Sequence, residues 1–364
     1  MKARVRRMDL PEGRRALAVS DIHGNLPFLK ALLDKAGFGP EDLLFVVGDF
    51  LEKGAESLAT LRYLMELSRA GNVYTLLGNC DDLVLACADG EEGSEDGLYG
   101  YLIARPESTV HQMAAEHGFR LESRAGLPEL RRLLRSEFRP ELDFLRALPH
   151  IIDTPRFLFV HGGVPSEHRL EELDAWKCMK NDDFLHQDTH LGKWCVVGHW
   201  PVTLYHPRIP TARPLICREK RIISIDGGCV LKWDGQLNAL ILPEGTDGEF
   251  SYVSYDGLPT VTALDGQEES ADSINIRWFE NRVTVLSRGE EFSRCRHDAS
   301  GREIDILNEY LMETGNVTRC EDSTDYRLPV APGDALSVVR RTSRGLLAKK
   351  DGVTGWYLGR TAEG

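Results

Sequence analysis

Six residues of the types that bind divalent metal ions follow short apolar runs along the chain. They are Asp21, His23, Asp49, Asn79, His161 and His199. Carboxylate, imidazole and amide groups suit ions such as manganese, iron, zinc, magnesium or nickel, and these loops lack the grouped thiolates of a structural zinc site. Asp21 and His23 are two residues apart on a segment predicted to be extended, so both can bind one ion. Asp49 can bridge that ion to a second, which the remaining three residues complete.

A pair of divalent ions in such a cluster predicts one kind of chemistry. Two ions about 3.5–4 Å apart hold a phosphoryl group, stabilise its developing charge and lower the pKa of a shared water. The bridging hydroxide that results attacks phosphorus directly, without a covalent intermediate on the protein. The residues therefore predict a dinuclear metal-dependent phosphoesterase.

The elements that position these residues are short buried strands. Apolar runs at 16–19, 43–47, 73–77, 157–160, 195–197 and 222–225 are typical of buried strands. Stretches with helical spacing lie between the first three, at 26–36 and 58–65, so strand and helix alternate as in an α/β fold. The candidate metal-binding residues come directly after the strands. This is the place where open α/β sheets bind substrates and cofactors.

The order of the glycine-containing motifs resembles a known family. The motifs are SDIHGN at 20–25, GDFLEKG at 48–54, GNCDD at 78–82, HGGV at 161–164 and GHWPV at 198–202. Together they resemble the calcineurin-like metallophosphoesterases across Ala16 to Leu242. They look most like the PPP-type branch, which holds Ser/Thr protein phosphatases and symmetrical dinucleoside tetraphosphatases.

The resemblance implies a fold, a cofactor and ligand roles. It implies a four-layer αββα sandwich, with two β-sheets flanked by helices, and two divalent ions, manganese being the first candidate. Asp21, His23 and Asp49 match the ligands of the first ion. The ligands of the second ion are matched by Asp49, Asn79, His161 and His199.

Two positions depart from the pattern of the PPP-type branch. Cys80, followed by Asp81, stands where those phosphatases have a histidine that protonates the leaving group. A thiol with a pKa near about 8.5 is a poor general acid at neutral pH. Lys53 replaces an arginine that binds phosphate. Lys177 and Lys180 are the basic residues nearest to a second missing arginine, and Lys180 is preferred. The candidate catalytic residues are Asp49, Lys53, Asn79, Cys80 and Asp81.

Three functions follow from these residues. The first is a PPP-like phosphomonoesterase acting on a phosphoprotein or a nucleotide, which the single histidine of the last motif favours. The alternative is a phosphodiesterase or dinucleoside polyphosphate hydrolase, which Cys80 favours. The third is a phosphate-binding scaffold with weak catalysis, motivated by the missing histidine and arginine.

The sequence predicts two domains. We expect residues 1–257 to form the metallophosphoesterase domain, with a helical insertion at about 81–150 that includes a Gly- and Glu-rich loop. Residues 258–364 form a β-rich accessory domain of SH3-like type. Its GWYLG sequence, Gly355–Gly359, either fills the barrel core or binds a protein or peptide.

Composition limits the partners and the location. Forty-four Lys and Arg against 57 Asp and Glu give a net charge of -13, which disfavours binding to duplex DNA. No apolar stretch approaches the about 18 residues of a membrane span. The eight cysteines are scattered and are interpreted as reduced thiols, so we expect a cytoplasmic protein. From the predicted chemistry, we expect its partner to be a phosphorylated protein or nucleotide.

Overall fold

A computed structural model describes residues 1–90, 95–243 and 248–363. Parts of the predicted insertion and of both predicted domains lie outside these ranges. The described helices are α1 (Leu26–Lys35), α2 (Ser57–Ser68), α3 (Asn79–Asp89), α4 (Glu95–Ala104), α5 (Thr109–Glu116), α6 (Leu127–Glu137), α7 (Arg139–Ala147) and α8 (Ala175–Met179). The first eleven strands are β1 (Val5–Arg7), β2 (Ala16–Val19), β3 (Leu43–Val47), β4 (Val73–Leu76), β5 (Ile151–Asp153), β6 (Phe157–Val160), β7 (Trp194–Val197), β8 (Leu215–Cys217), β9 (Ile222–Ser224), β10 (Leu237–Leu242) and β11 (Ser251–Tyr255).

The chain divides into two compact units, of which the first carries the predicted ligands. It consists of Met1–Pro201, Pro214–Leu231 and Leu237–Tyr255. Its described residues form one sheet of order β1-β5-β6-β7-β9-β8 and another of order β11-β10-β2-β3-β4. Strands β2, β3 and β4 are parallel, as are β6, β7 and β9, so within each group the carboxyl ends lie at one edge.

Strict alternation along the strands builds the layers of the first unit. In β2, Leu17 and Val19 pack in the core that contains the helices, whereas Ala16 and Ala18 pack in the core between the sheets. Successive side chains of a strand point to opposite faces, so each sheet buries both of its faces. Phe45 of one sheet stacks on Phe159 of the other, with ring centroids 4.1 Å apart.

The outer faces of both sheets are covered by further structure. Helices α1 to α7 contribute to the core on one side. On the other side, Cys178 of α8 shares a core with Leu170, Phe184 and the strands of the six-stranded sheet. The predicted α/β fold with four layers is therefore confirmed. None of the described helices is long and apolar enough to cross a membrane.

Helices occupy most of the described residues between β4 and β5. The stretch of the predicted helical insertion, about 81–150, contains α3 to α7. Helix α3 begins at Asn79, immediately after Gly78 and two residues before the predicted start of the insertion. Residues 91–94, in the predicted loop, lie outside the described residues.

The second unit consists of Val202–Arg213, Lys232–Gln236 and the chain from Asp256 onward. Its described strands are β12 (Thr260–Ala263), β13 (Asn275–Ile276), β14 (Val283–Arg288), β15 (Phe292–His297), β16 (Glu303–Leu307), β17 (Leu311–Thr314), β18 (Val317–Cys320), β19 (Ser323–Thr324), β20 (Ala335–Thr342), β21 (Gly345–Lys350), β22 (Val353–Tyr357) and β23 (Thr361–Glu363). The largest sheet has the order β22-β21-β20-β12-β23. Tyr357 of the GWYLG sequence is fully buried in its core. A β-rich C-terminal region is thus confirmed, while its SH3-like type and the boundary after residue 257 stay predictions.

A buried histidine at the edge of the first unit predicts a pH-dependent stability. The N–H of Arg4 donates to Nδ1 of His150 at 2.8 Å, and the N–H of His150 donates to the Arg4 carbonyl at 2.9 Å. Burial, helped by the Arg4 charge, lowers the pKa of His150 to about 4. In the unfolded chain the histidine pKa is about 6.5, so between pH of about 4 and about 6.5 the unfolded chain binds more protons than the folded chain. This stability is therefore complete above pH of about 6.5 and is lost as pH falls toward about 4.

We expect the free energy of unfolding to fall by about 2 kcal/mol between pH 7 and pH 5 because of His150. His150→Asn keeps an acceptor near the Arg4 N–H but cannot titrate. The free energy of unfolding of this variant should therefore fall by about 2 kcal/mol less between pH 7 and pH 5 than that of the unmodified protein. Urea denaturation with a chelator present measures the difference. The exposed His168→Asn serves as the control. Equal pH dependence in His150→Asn and the unmodified protein would contradict the assignment.

Candidate metal centre

The six predicted ligands come from both sheets and meet at one place. Asp21 and His23 follow β2, Asp49 follows β3, and Asn79 follows β4. His161 and His199 follow β6 and β7 of the other sheet. Nε2 of His161 lies 3.2 Å from Oδ1 of Asp49. The backbone N–H of His199 donates to Oδ2 of Asp21 at 3.0 Å.

Two overlapping groups of side chains could each hold an ion. One group contains His23, Asp49 and Cys80, and the other contains Asp49, His161 and His199. Within each group the ligand atoms lie within 4.8 Å of one another. Asp49 belongs to both groups, which is the arrangement that a bridging carboxylate requires.

Asp21 lies beside the first group and Asn79 beside Cys80. Oδ1 of Asp21 is 3.8 Å from Nε2 of His23. The Nδ2 group of Asn79 donates to Sγ of Cys80 at 3.5 Å, and Oδ1 of Asn79 has no hydrogen-bond partner among the described residues. The structure thus brings all six predicted residues into one region of the first unit.

The loops adopt costly backbone conformations at four of these residues. Asp21, His23, Asp49 and His199 have φ values of 54°, 50°, 50° and 67°. The left-handed region is disfavoured for residues with a Cβ, and such strain concentrates at functional sites. The extended segment predicted for Asp21 and His23 is therefore wrong. A tight turn aims both side chains inward instead.

Close backbone packing makes two glycines necessary. A Cβ atom on Gly198 would lie 2.2 Å from Oδ2 of Asp21, and one on Gly78 would lie 2.2 Å from Oδ1 of Asp49. Any larger residue would displace a candidate ligand.

Unpartnered buried atoms show that the site fits divalent ions. Among the described residues, Oδ1 of Asp21, Oδ1 of Asn79 and Nε2 of His161 are buried without a hydrogen-bond partner. Leaving such groups unpaired costs about 1–3 kcal/mol each, so native proteins usually satisfy them. All three atoms are acceptable ligands for a borderline or hard cation.

The charges of the cluster prepare it for a cation. Burial opposes ionisation of Asp49, but the charges of His161 and Lys53 hold its pKa well below the usual range. Burial, with the neighbouring Lys53 charge, lowers the pKa of His23 to about 3, so its imidazole is neutral. Burial would also lower the pKa of His161, but Asp49 and Asp21 raise it to about 10. An ion bound there would displace that proton, because a histidine ligand must be neutral.

Asp81, a predicted catalytic residue, is engaged by the backbone. Its carboxylate accepts the N–H groups of Gly78 and Asp49 at 2.8 Å and that of Leu51 at 3.0 Å. Asp81 lies in the first turn of α3 and so fixes the loops after β3 and β4 to each other. This geometry gives it a positioning contact with Asp49 rather than an open face toward a substrate.

Cys80, where a general acid was predicted to be missing, is a buried thiol. Its N–H donates to Oδ1 of Asp49 at 2.8 Å. Burial, with the nearby Asp49 charge, raises the pKa of the Cys80 thiol well above its ordinary value. A thiol this weak in acidity transfers a proton poorly near neutral pH.

Two lysines lie beside the candidate ligands. Nζ of Lys53 is 3.3 Å from Nε2 of His23. Burial alone would lower the pKa of Lys53, but Cys80, Asp49 and other acidic groups raise it, so the ammonium stays charged. Nζ of Lys180 lies 3.4 Å from Nε2 of His199. Both predicted phosphate-binding lysines are therefore placed at the cluster.

Glu52 faces away from the cluster. Its carboxylate accepts the Tyr101 hydroxyl at 2.9 Å and the Thr109 N–H at 2.8 Å, and it is fully buried. These contacts join the loop after β3 to helices α4 and α5. Its role is to hold the loop that carries Lys53.

Two acidic residues at the site were missed by sequence reasoning. Asp226 is buried close to Asp21, and its Oδ2 has no partner among the described residues. It follows β9, so the rule that identified the other ligands could have found it. Oδ1 of Asp182 is 2.7 Å from Nε2 of His199. Asp182 follows no strand and gave no such signal.

The fold and the metal centre define a class of protein. The family model for calcineurin-like phosphoesterases matches residues 14–225, and the chain belongs to that family. The family predicted from the motifs is thus confirmed.

Two similar proteins carry the name of an enzyme of the predicted PPP-type branch. The symmetrical bis(5'-nucleosyl)-tetraphosphatase of Pseudomonas fluorescens (strain SBW25) is 32% identical over 165 residues, which cover 44% of this chain and 46% of that protein. The enzyme of the same name from Shewanella sp. (strain W3-18-1) is 30% identical over 176 residues, covering 46% and 53%. The chain spans about half the length of these relatives. A protein serine/threonine phosphatase structure from Saccharomyces cerevisiae is 12% identical with a TM-score of 0.41, covering 70% of this chain and 84% of that one.

Proposed function

We propose that this chain is a dinuclear metal-dependent phosphoesterase. The observation that carries the proposal is the pair of ligand groups that share Asp49, with three unpartnered buried atoms beside them. Bound at these groups, two divalent ions supply Lewis acidity and a water of lowered pKa. Manganese is the first candidate, and iron, zinc, magnesium and nickel fit the same ligands.

The residues around the ligands would bind the substrate. Lys53 and Lys180 place two positive charges beside the cluster, where they can attract phosphate oxygens. An ammonium acts as a point charge, so orientation of the phosphoryl group must come mainly from the ligand cluster. Asp81 keeps Asp49 in place through the backbone.

The leaving group separates the candidate substrates. The buried Cys80 thiol is a poor proton donor, so a substrate whose leaving group departs as a stable anion is favoured. A phosphoanhydride, such as that of a dinucleoside polyphosphate, meets this requirement, and the similar proteins carry names of that kind. We therefore place a nucleotide substrate of this type first. Hydrolysis of a phosphoprotein monoester is the second candidate, supported by the single histidine of the last motif.

A substrate panel tests the proposal. Protein loaded with manganese should hydrolyse diadenosine tetraphosphate and an aryl phosphate faster than a phosphoserine peptide. A bis-aryl phosphate separates diester from monoester hydrolysis. Preference for the phosphopeptide would reverse the order of the two candidates. No turnover on any substrate would leave only a phosphate-binding scaffold, and turnover that does not depend on metal would contradict the dinuclear centre.

We also propose that the C-terminal unit binds an acidic peptide. A cleft of about 240 Å³ in this unit is lined by Phe292, Trp356 and Leu358 among others. Arg344 lies over the Phe292 ring, 4.2 Å from its centroid, and pairs with Asp305. The cleft is also lined by Glu303, Asp305 and Asp325, each of which pairs with an arginine. Arg327, also in the lining, has no ion-pair partner among the described residues, which leaves its positive charge for a ligand. Fluorescence anisotropy should show that labelled acidic peptides bind more tightly than neutral ones, and that Arg327→Glu removes the preference.

The proposed location is the cytoplasm. All eight cysteines are free thiols in the structure, and seven of them are buried. A chain that keeps so many thiols reduced suits a reducing compartment. Mass spectrometry of alkylated protein from the native source would test this, because disulfides there would contradict it.

A further inference from the structure

Two basic groups beside the metal centre meet at a single oxygen of Asp182. Nε2 of His199 is 2.7 Å from Oδ1 of Asp182, and Nζ of Lys180 is 2.7 Å from the same atom. The Asp182 carboxylate therefore joins a candidate metal ligand to a candidate phosphate-binding residue.

The loop that carries Asp182 is held in place despite its exposure. It packs directly on the turn after His161. A Cβ atom on Gly162 would lie only 2.6 Å from the Met179 carbonyl oxygen and 2.8 Å from the Asn181 nitrogen, which shows how close the two segments are. Nε2 of Gln187 donates to Oδ1 of Asn181 at 2.7 Å and to the Asp182 carbonyl at 3.1 Å. The Asp182 side chain, 52% exposed, thus projects from a braced backbone.

The contact with Asp182 decides which nitrogen of His199 can bind an ion. The His199 side chain is only 7% exposed, and its ring centroid is 5.3 Å from that of His161. Its Nε2 is committed to Asp182, so Nδ1 is the nitrogen that remains. Metal-binding histidines almost always donate their other ring N–H to a carboxylate, carbonyl or water, which fixes the ring and raises its basicity.

We propose that Asp182 is a positioning residue for two groups at once. It holds the His199 ring with Nδ1 available to the second ion, and it holds Lys180 beside His199, where the ammonium can meet a phosphate oxygen. This inference rests on the proposed function, since it names how one of the two ligand groups is oriented. It predicts that ion affinity and substrate affinity both depend on one carboxylate that touches neither the ion nor the reacting atoms.

Ion affinity provides a readout that does not depend on activity. In calorimetric titrations with Mn²⁺, Asp182→Ala should bind one of two ions about 10- to 100-fold more weakly than the unmodified protein, with the other ion unaffected. Asp182→Asn, which keeps an acceptor but loses the charge, should lie between them. The adjacent Asp183→Asn is the matched control and should bind both ions normally, because it removes the charge that pairs with His186 and keeps a residue type that tolerates the left-handed backbone of this position, where φ is 55°.

Lys180→Met separates the two parts of the proposal. It should raise KM for the substrate several-fold while leaving both ion affinities unchanged, whereas Asp182→Ala should change both quantities. Unchanged ion affinity in Asp182→Ala would overturn the inference. Equal losses in Asp182→Ala and Asp183→Asn would also overturn it, because they would indicate general loosening of the loop. Failure of the unmodified protein to bind any ion would instead overturn the proposed function.

Discussion

Asp49→Asn is expected to lower metal-dependent phosphoester hydrolysis by about a thousandfold or more while the protein stays folded. The asparagine can still accept the Cys80 N–H, which donates to Oδ1 of Asp49 at 2.8 Å. The substitution therefore removes little except a negative charge. That charge belongs to both ligand groups, so both ions should bind more weakly.

Three measurements check the Asp49→Asn prediction. Turnover of an aryl phosphate gives the rate, elemental analysis gives the number of bound ions, and thermal unfolding reports on the fold. Asp34→Asn, an exposed change of the same chemistry on α1, should match the unmodified protein in all three. If Asp49→Asn kept both its ions and its rate, the dinuclear centre would be wrong.

Cys80→His is expected to raise the hydrolysis of alkyl phosphomonoesters about ten- to a hundredfold. An imidazole near neutral pKa can protonate an alkoxide leaving group, which a buried thiol with a raised pKa cannot. The gain should lie at or below the lower limit of the about 10²–10⁴-fold typical of general acids. The reason is that the Asp81 carboxylate already accepts three backbone N–H groups and has little capacity left to orient the new ring.

The leaving-group dependence of the rate distinguishes this gain from a change in packing. Rates should rise for alkyl phosphates and change little for aryl phosphates, whose leaving groups need no proton. Cys80→Asn is the matched control, because it introduces a polar side chain of similar size without an acid. Equal gains with histidine and asparagine, or equal gains on both substrate types, would contradict a role for the proton.

The metal ligands could be predicted from the sequence because each buried strand is a continuous apolar run, and the polar residues that follow the run mark the end of the strand. Continuous apolar runs such as Leu43–Val47 and Phe157–Val160 are typical of strands buried on both faces, and polar residues directly after such strands are expected at the sheet edge. Asp49 and His161 were found in this way. The same reasoning predicted the layers, because each run must bury two faces.

Other features depend on contacts that no local pattern encodes. Asp182 reaches His199 from a loop that follows a short helix, so neither its strand position nor its spacing marks it. The left-handed turn at Asp21 is imposed by neighbours, including the His199 N–H that binds its carboxylate. Asp81 looks like an acid available for catalysis until the three N–H groups that it accepts are seen.

The division of the ligands between the two sheets couples metal supply to the amount of folded protein. Asp49 follows a strand of the five-stranded sheet and His161 a strand of the six-stranded sheet, yet the two side chains lie 3.2 Å apart. An ion that binds both cross-links the halves of the sandwich and is lost when they separate. Binding to the folded state alone, at a hundred times the dissociation constant, adds about 2.7 kcal/mol of stability per ion. Metal scarcity would then reduce the abundance of this protein as well as its turnover, through unfolding and proteolysis.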